Sequence, residues 1–145
     1  MSPEGRLLRV VVDTNVLFSS LAFPKESPPV KVLHLAQAGR IGMVVSPFIP
    51  EELETTLRAR VSWDEERILM LRKQLKTFLV IVEPSTRVAL IKRVEADNRI
   101  LECALEANVD VLVTGNMKDI RPLGSFHGID ILTPREFLDT YFPET

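Results

Sequence analysis

One cysteine, Cys103, stands in 145 residues, so no internal disulfide can staple this fold. A reducing cytoplasm is the expected setting. No stretch is long and apolar enough to span a bilayer, and no membrane role is expected. The first apolar run, LLRVVVD, contains Arg9 and ends on Asp13, and it lacks the regions of a signal peptide. Charge of one sign is also missing. Eighteen Lys and Arg face twenty Asp and Glu, a net charge of −2. No overall basic field therefore draws in nucleic acid, and any grip on it must come from a local patch or from metal ions. There is no P-loop, no HExxH motif, no repeat, no low-complexity segment and no interdomain linker. What is present is an ordinary globular balance, 46% hydrophobic and 26% charged, at a length that suits a single domain over 1–145.

Apolar β-branched runs alternate with helical patterns. Strands are predicted at Leu7–Val12, Met43–Val45 (or from Ile41), Leu79–Val82, Val109–Thr114 and Ile129–Leu132. Their lack of polar alternation suits a parallel sheet covered by helices. Helices are predicted near 28–38, 47–60, 64–77, 97–107 and 134–141. Ser27-Pro28, Ser46-Pro47 and Thr133-Pro134 each offer a capping hydroxyl followed by proline. Ser62 with Glu65, and Thr133 with Glu136, fit the capping box. Residues 19–28 and 117–127 read as loops, and 84–96 has no clear pattern. The alternation argues for βαβ crossovers, whose ligand sites lie beyond the carboxyl ends of the strands.

Several polar residues fall at those ends. Asp13 follows Val10-Val11-Val12 directly, although Asp-Thr-Asn is also good turn chemistry. Glu52 shares a helical face with Ile49 and Thr56, while Glu51, Glu54 and Arg58 point the other way. A carboxylate on a core-facing stripe is costly unless it is paired or holds a metal. Asp97 stands one turn before Ile100 and Leu101, on the face of Ala104, where the helix dipole favours an anion. Asn116 and Asp119 follow the strand VDVLVTG, with Gly115 allowing a tight exit. Each alone has a plain reading as a cap, a surface acid or a polar loop. Three carboxylates expected near strand ends are harder to dismiss than one. Two carboxylates about 4 Å apart repel by roughly 4 kcal/mol at an effective dielectric of about 20, and a divalent cation removes that repulsion. All-oxygen donors without nearby Cys or His suit Mg²⁺ or Mn²⁺ rather than zinc. Such an ion supports phosphodiester hydrolysis.

Four segments, VVVDTNVLFSSL, VVSPFIPEELETTL, ADNRILECALEANVDVLVTGNMKDI and GIDILTPREFL, resemble the PIN-domain family. The resemblance is to its bacterial and archaeal toxin components of toxin–antitoxin pairs. It runs from about Arg9 to Phe142 and is weakest over 62–93. It implies a three-layer α/β/α fold with a central parallel sheet and metal-dependent ribonuclease activity on single-stranded RNA. By position it makes Asp13, Glu52 and Asp97 the metal-binding acids, with Asn15 and Thr114 orienting them or the attacking water. At the fourth acidic position, where Asp is usual, this chain has Asn116, which supplies no charge; Asp119 is the candidate substitute. The resemblance further implies a small antitoxin partner and a homodimer.

Other readings compete. A weakened PIN scaffold would bind RNA or a protein without cutting. A haloacid-dehalogenase-like phosphatase also begins with strand and Asp, but needs a second Asp where this chain has Asn15. Lys25, Arg58, Lys118 and Arg121 are candidate phosphate contacts, though isolated surface cations are usually just solvated. His34, His127, Cys103 and Trp63 are expected to serve surface or packing roles.

Overall fold

The computed structural model describes residues 7–84 and 95–145, leaving aside the side chains of 95–97. The chain runs β1 (Arg9–Val12), α1 (Thr14–Ala22), α2 (Pro28–Gln37), β2 (Gly42–Val45), α3 (Phe48–Val61), α4 (Glu65–Leu75), β3 (Leu79–Ile81), α5 (Glu95–Glu106), β4 (Val111–Val113), β5 (Ser125–Phe126), β6 (Ile129–Leu132) and α6 (Pro134–Tyr141). The strands form one sheet in the order β3-β2-β1-β4-β6-β5. Every pairing is parallel except that of β5 with β6. Among the described residues six helices flank this mostly parallel sheet, the predicted α/β/α arrangement.

The centre of the sheet is dry. Val10, Val11, Val12, Met43, Val45, Val111, Leu112 and Val113 have no solvent exposure, which explains why their runs show no alternation. α1 packs against α2 and α3, α2 against α6, and α5 against β1 and β2. The expectation of buried strands fails at β3. Val80 is 49% and Ile81 60% exposed, because β3 is an edge strand paired only with β2.

Three local readings also change. Residues 14–22 form α1, so the loop predicted from 19 begins only after Ala22. Asp13 caps this helix and Val16, Leu17, Phe18 and Ser20 bury one side, so tertiary packing outweighs the modest helix propensity of the segment. Ser62 does not cap α4. It closes α3 in the left-handed conformation at φ 57°, and Asp64 caps α4 by accepting the Arg67 N–H at 2.8 Å. Ser46 does not cap α3 either, since the helix starts at Phe48 without a side-chain cap. The capping box of Thr133 and Glu136 is present. Within the predicted loop 117–127 lie a 3₁₀ turn at Arg121–Leu123 and strand β5. Of the unpatterned 84–96 segment, residues 85–94 lie outside the described residues.

Candidate active site

The site begins where β1 ends. The Asp13 N–H still donates to the Val113 carbonyl at 2.9 Å, so the residue is pinned to the sheet. Extending the registers Val11↔Val44 and Val12↔Val113 sets Ser46 and Thr114 on either side of Asp13 in one row. The Asp13 side chain is 4% exposed. Its Oδ2 accepts the Thr114 hydroxyl at 2.7 Å, and its Oδ1 accepts the Asn15 backbone N–H at 3.2 Å. Burial pushes its carboxyl above the ordinary range, and these two hydrogen bonds oppose the shift without cancelling it. The Thr114 hydroxyl also accepts the Asn116 N–H at 2.9 Å, tying the loop after β4 to the acid.

Glu52 approaches from α3. Burial raises its carboxyl pKa, the Thr14 hydroxyl lowers it, and the charge of Asp13 raises it again. The last effect means that the two acids sense each other. Thr14 is buried, and its hydroxyl lies near enough to Glu52 to favour the charged form, yet it meets no partner at full hydrogen-bonding geometry. A pair of partly desolvated carboxylates beside an unpartnered buried hydroxyl is an all-oxygen setting that fits a hard divalent cation. Among the described residues no three His, Cys, Asp or Glu side chains converge. Asp97 falls in the first turn of α5, and its side chain lies outside the described residues.

The remaining predicted residues are placed as follows. Asn15 is exposed, and its backbone rather than its side chain meets Asp13. The Asn116 side-chain oxygen, Oδ1, accepts the N–H groups of Lys118 and Asp119 at 3.1 and 2.9 Å, so both its lone pairs shape the loop. Asp119 is half-buried on that same turn. Lys25 and Lys118 are exposed. Arg58 is engaged by Glu65 and Glu54, and Arg121 forms a two-pronged pair with Glu136 at 2.8 and 2.9 Å. Neither arginine is an idle surface cation.

Sequence reasoning passed over Asn98 and Glu102, which are 1% and 3% exposed on α5. Glu102 pairs with Arg99 at 2.7 Å. Their spacing of one helical turn is the available signal, masked in the sequence by the apolar neighbours Ile100 and Leu101. Ser46, beside Asp13, was passed over as a cap.

Residues 9–118 match the family model of the PIN domain. The uncharacterized protein MJ1680 of Methanocaldococcus jannaschii is 30% identical, with 92% of each chain covered. Among solved structures, VapBC2 from Rickettsia felis, bound to a DNA fragment from their promoter, superposes with a TM-score of 0.60 at 16% identity, covering 86% of this chain and 97% of that one. FitAcB from Neisseria gonorrhoeae gives 0.52 at 17% identity over 87% and 98%. The PIN domain of human SMG5 gives 0.51 at 14% identity over 92% and 98%. These structures share the fold, and the family match spans the acids Asp13, Glu52 and Asp97 together with Asn116: the chain belongs to the PIN domain family.

Proposed function

We propose that this chain is an endoribonuclease that hydrolyses phosphodiester bonds of single-stranded RNA, with Mg²⁺ or Mn²⁺ held by Asp13, Glu52 and Asp97. The observation that supports it most is an Asp13 almost wholly withdrawn from water at the carboxyl edge of the sheet, near enough to Glu52 on α3 for its charge to raise that carboxyl. When bound, the ion supplies an activated water and offsets charge on the phosphate. The chain's own groups do the rest. Thr114 and the Asn15 N–H hold the Asp13 carboxylate in one orientation. Glu52, half-buried, presents its open side to solvent, from which RNA arrives. Asn116 holds the loop that carries Asp119, the substitute carboxylate at the family's fourth acidic position. The biological setting we assign is that of the toxin in a toxin–antitoxin pair, acting as a homodimer in the cytoplasm and restrained by a small antitoxin.

Calorimetric titration of Mn²⁺ into the wild type and Asp13→Asn, with both run on a fluorescent single-stranded RNA, tests the reading. Binding and cleavage by the wild type, both lost in the variant, are expected. A folded wild type that binds no Mn²⁺ and leaves every RNA intact would overturn it. One observation favours a second reading, a scaffold that binds without cutting: Asn116 brings no charge, and its oxygen is already engaged. Metal binding without cleavage of any RNA, together with partner binding unchanged by Asp13→Asn, would favour that scaffold.

A further inference from the structure

A cleft of about 360 Å³ opens on the side of Asp13 away from Glu52. Its walls are Pro28 and Pro29 at the start of α2, Pro134 at the start of α6, and Gly115 after β4. Ser19 and Thr133 add hydroxyl groups to the lining, and two longer polar side chains join them, Asn15 and Arg135. Both are exposed, and among the described residues neither side chain has a hydrogen-bond or ion-pair partner. That distinguishes Arg135 from Arg58, Arg72 and Arg121, each of which is held by a glutamate. Arg135 escaped the sequence reading because nothing in TPREFL separates it from an ordinary surface cation.

The order of the sheet links the cleft to the acids. Glu52 follows β2, Asp13 follows β1, Gly115 follows β4, and Arg135 follows β6. These four strands are consecutive neighbours, β2-β1-β4-β6, and all run parallel. Their carboxyl ends therefore form one line that passes from the acidic pair into the cleft. Two strand spacings, about 10 Å, separate the row of Asp13 from that of Thr133. A chain lying along this edge with a phosphate at the acids places its neighbouring nucleotide in the cleft.

We infer that this cleft is a nucleotide subsite, taking the base and phosphate of the residue that flanks the cut. The inference rests on the ribonuclease reading above. Single-stranded RNA is recognised through splayed-out bases that lie against flat side chains and are hydrogen-bonded on their edges. The proline rings supply compact apolar walls against which a base can pack. The Asn15 amide, carrying donors and an acceptor, meets the base edge. The Arg135 guanidinium meets the phosphate, with the planar fork suited to it. With a net charge of −2 the chain has no general attraction for RNA, so an unengaged arginine beside the site carries weight.

The test uses a fluorescein-labelled single-stranded RNA 12-mer of mixed sequence, with anisotropy read in Ca²⁺ at several salt concentrations. Three proteins are compared: the wild type, Arg135→Ala, and Ser19→Trp, which fills the cleft from α1. Mn²⁺ titrations run alongside. Arg135→Ala is expected to weaken RNA binding roughly tenfold and to lower the salt slope by about 0.7. Ser19→Trp is expected to weaken binding at least as much. Both should bind Mn²⁺ as the wild type does. If both variants bind RNA like the wild type while the wild type binds RNA and Mn²⁺, the subsite is overturned and the ribonuclease reading stands. A wild type that binds no RNA and no Mn²⁺ overturns both.

Discussion

At the scale of residues, the positions of Asp13 and Glu52 are legible because helices and strands impose periodicity. Asp13 ends an apolar run and Glu52 sits on the stripe of Ile49, and both positions can be counted along the chain. What holds Asp13 was less legible, because Thr114 is 101 residues away and comes alongside only through the register of β1 with β4. Only the family resemblance pointed to it. Thr114 is fully buried, with its hydroxyl donating to Asp13 and accepting from Asn116. Thr114→Val keeps the shape but leaves the Asp13 Oδ2 without its donor and the Asn116 N–H without its acceptor. The expected loss is about 1–3 kcal/mol of stability in urea unfolding. The Asp13 carboxyl should shift further upward, weakening Mn²⁺ binding at neutral pH. Thr114→Ser, which restores the hydroxyl, should recover most of both. Unchanged unfolding and Mn²⁺ affinity in the valine variant would remove Thr114 from the site.

At the scale of elements, the runs that became β1, β2, β4, β6 and most helices could be read from pattern and caps, and the failures share a cause. Several capping residues can stand close together, and the chain geometry chooses among them. Ser62 and Asp64 both precede Glu65, but Ser62 must turn the chain out of α3, with its N–H donating to the Leu57 carbonyl. That left-handed turn leaves Asp64 as the residue in extended backbone next to α4. Asp64→Ala should therefore cost about 1 kcal/mol, the usual loss for a removed cap. Ser62→Gly should be neutral or slightly stabilising, because glycine adopts a positive φ without strain. Thermal unfolding of the two variants separates the assignments, since a larger loss at Ser62 would restore the capping box read from sequence. The exposed face of β3 was hidden for a related reason. An apolar triplet looks the same at the edge of a sheet as at its centre, and only strand order tells them apart.

At the scale of the whole molecule, the buried Asp13 and the half-buried Glu52 make stability depend on pH and on metal. Asp13 and Glu52 both have carboxyls raised above their ordinary values of 3.8 and 4.5, with burial the largest cause for each. The folded state thus binds their protons more tightly than the unfolded chain does. Their contribution is full below the unfolded values and is lost as pH rises through the raised folded ones, so metal-free protein should lose stability with rising pH in that window. The half-exposed Glu136 has the opposite sign. Arg121 first, then the Thr133 backbone, hold it down to about 2, so its stabilisation, small after screening by solvent, is present above 4.5 and is lost only as pH falls through about 2. It adds no slope above pH 5. A divalent cation needs both acids ionised, so its effect must grow as the protons leave. At about a hundred times its dissociation constant it would add about 2.7 kcal/mol, on the order of 10 °C in Tm for a chain of this size. Melting curves from pH 5 to 8, with and without Mn²⁺, should therefore diverge as pH rises. In Asp13→Asn the metal-free curve should lie higher at pH 8 by a few degrees, since a buried charge is gone, and Mn²⁺ should no longer move it. Parallel curves in the wild type, with no gain from Mn²⁺ at any pH, would mean that the clustered acids hold one another by protonation alone and that the metal has no place between them.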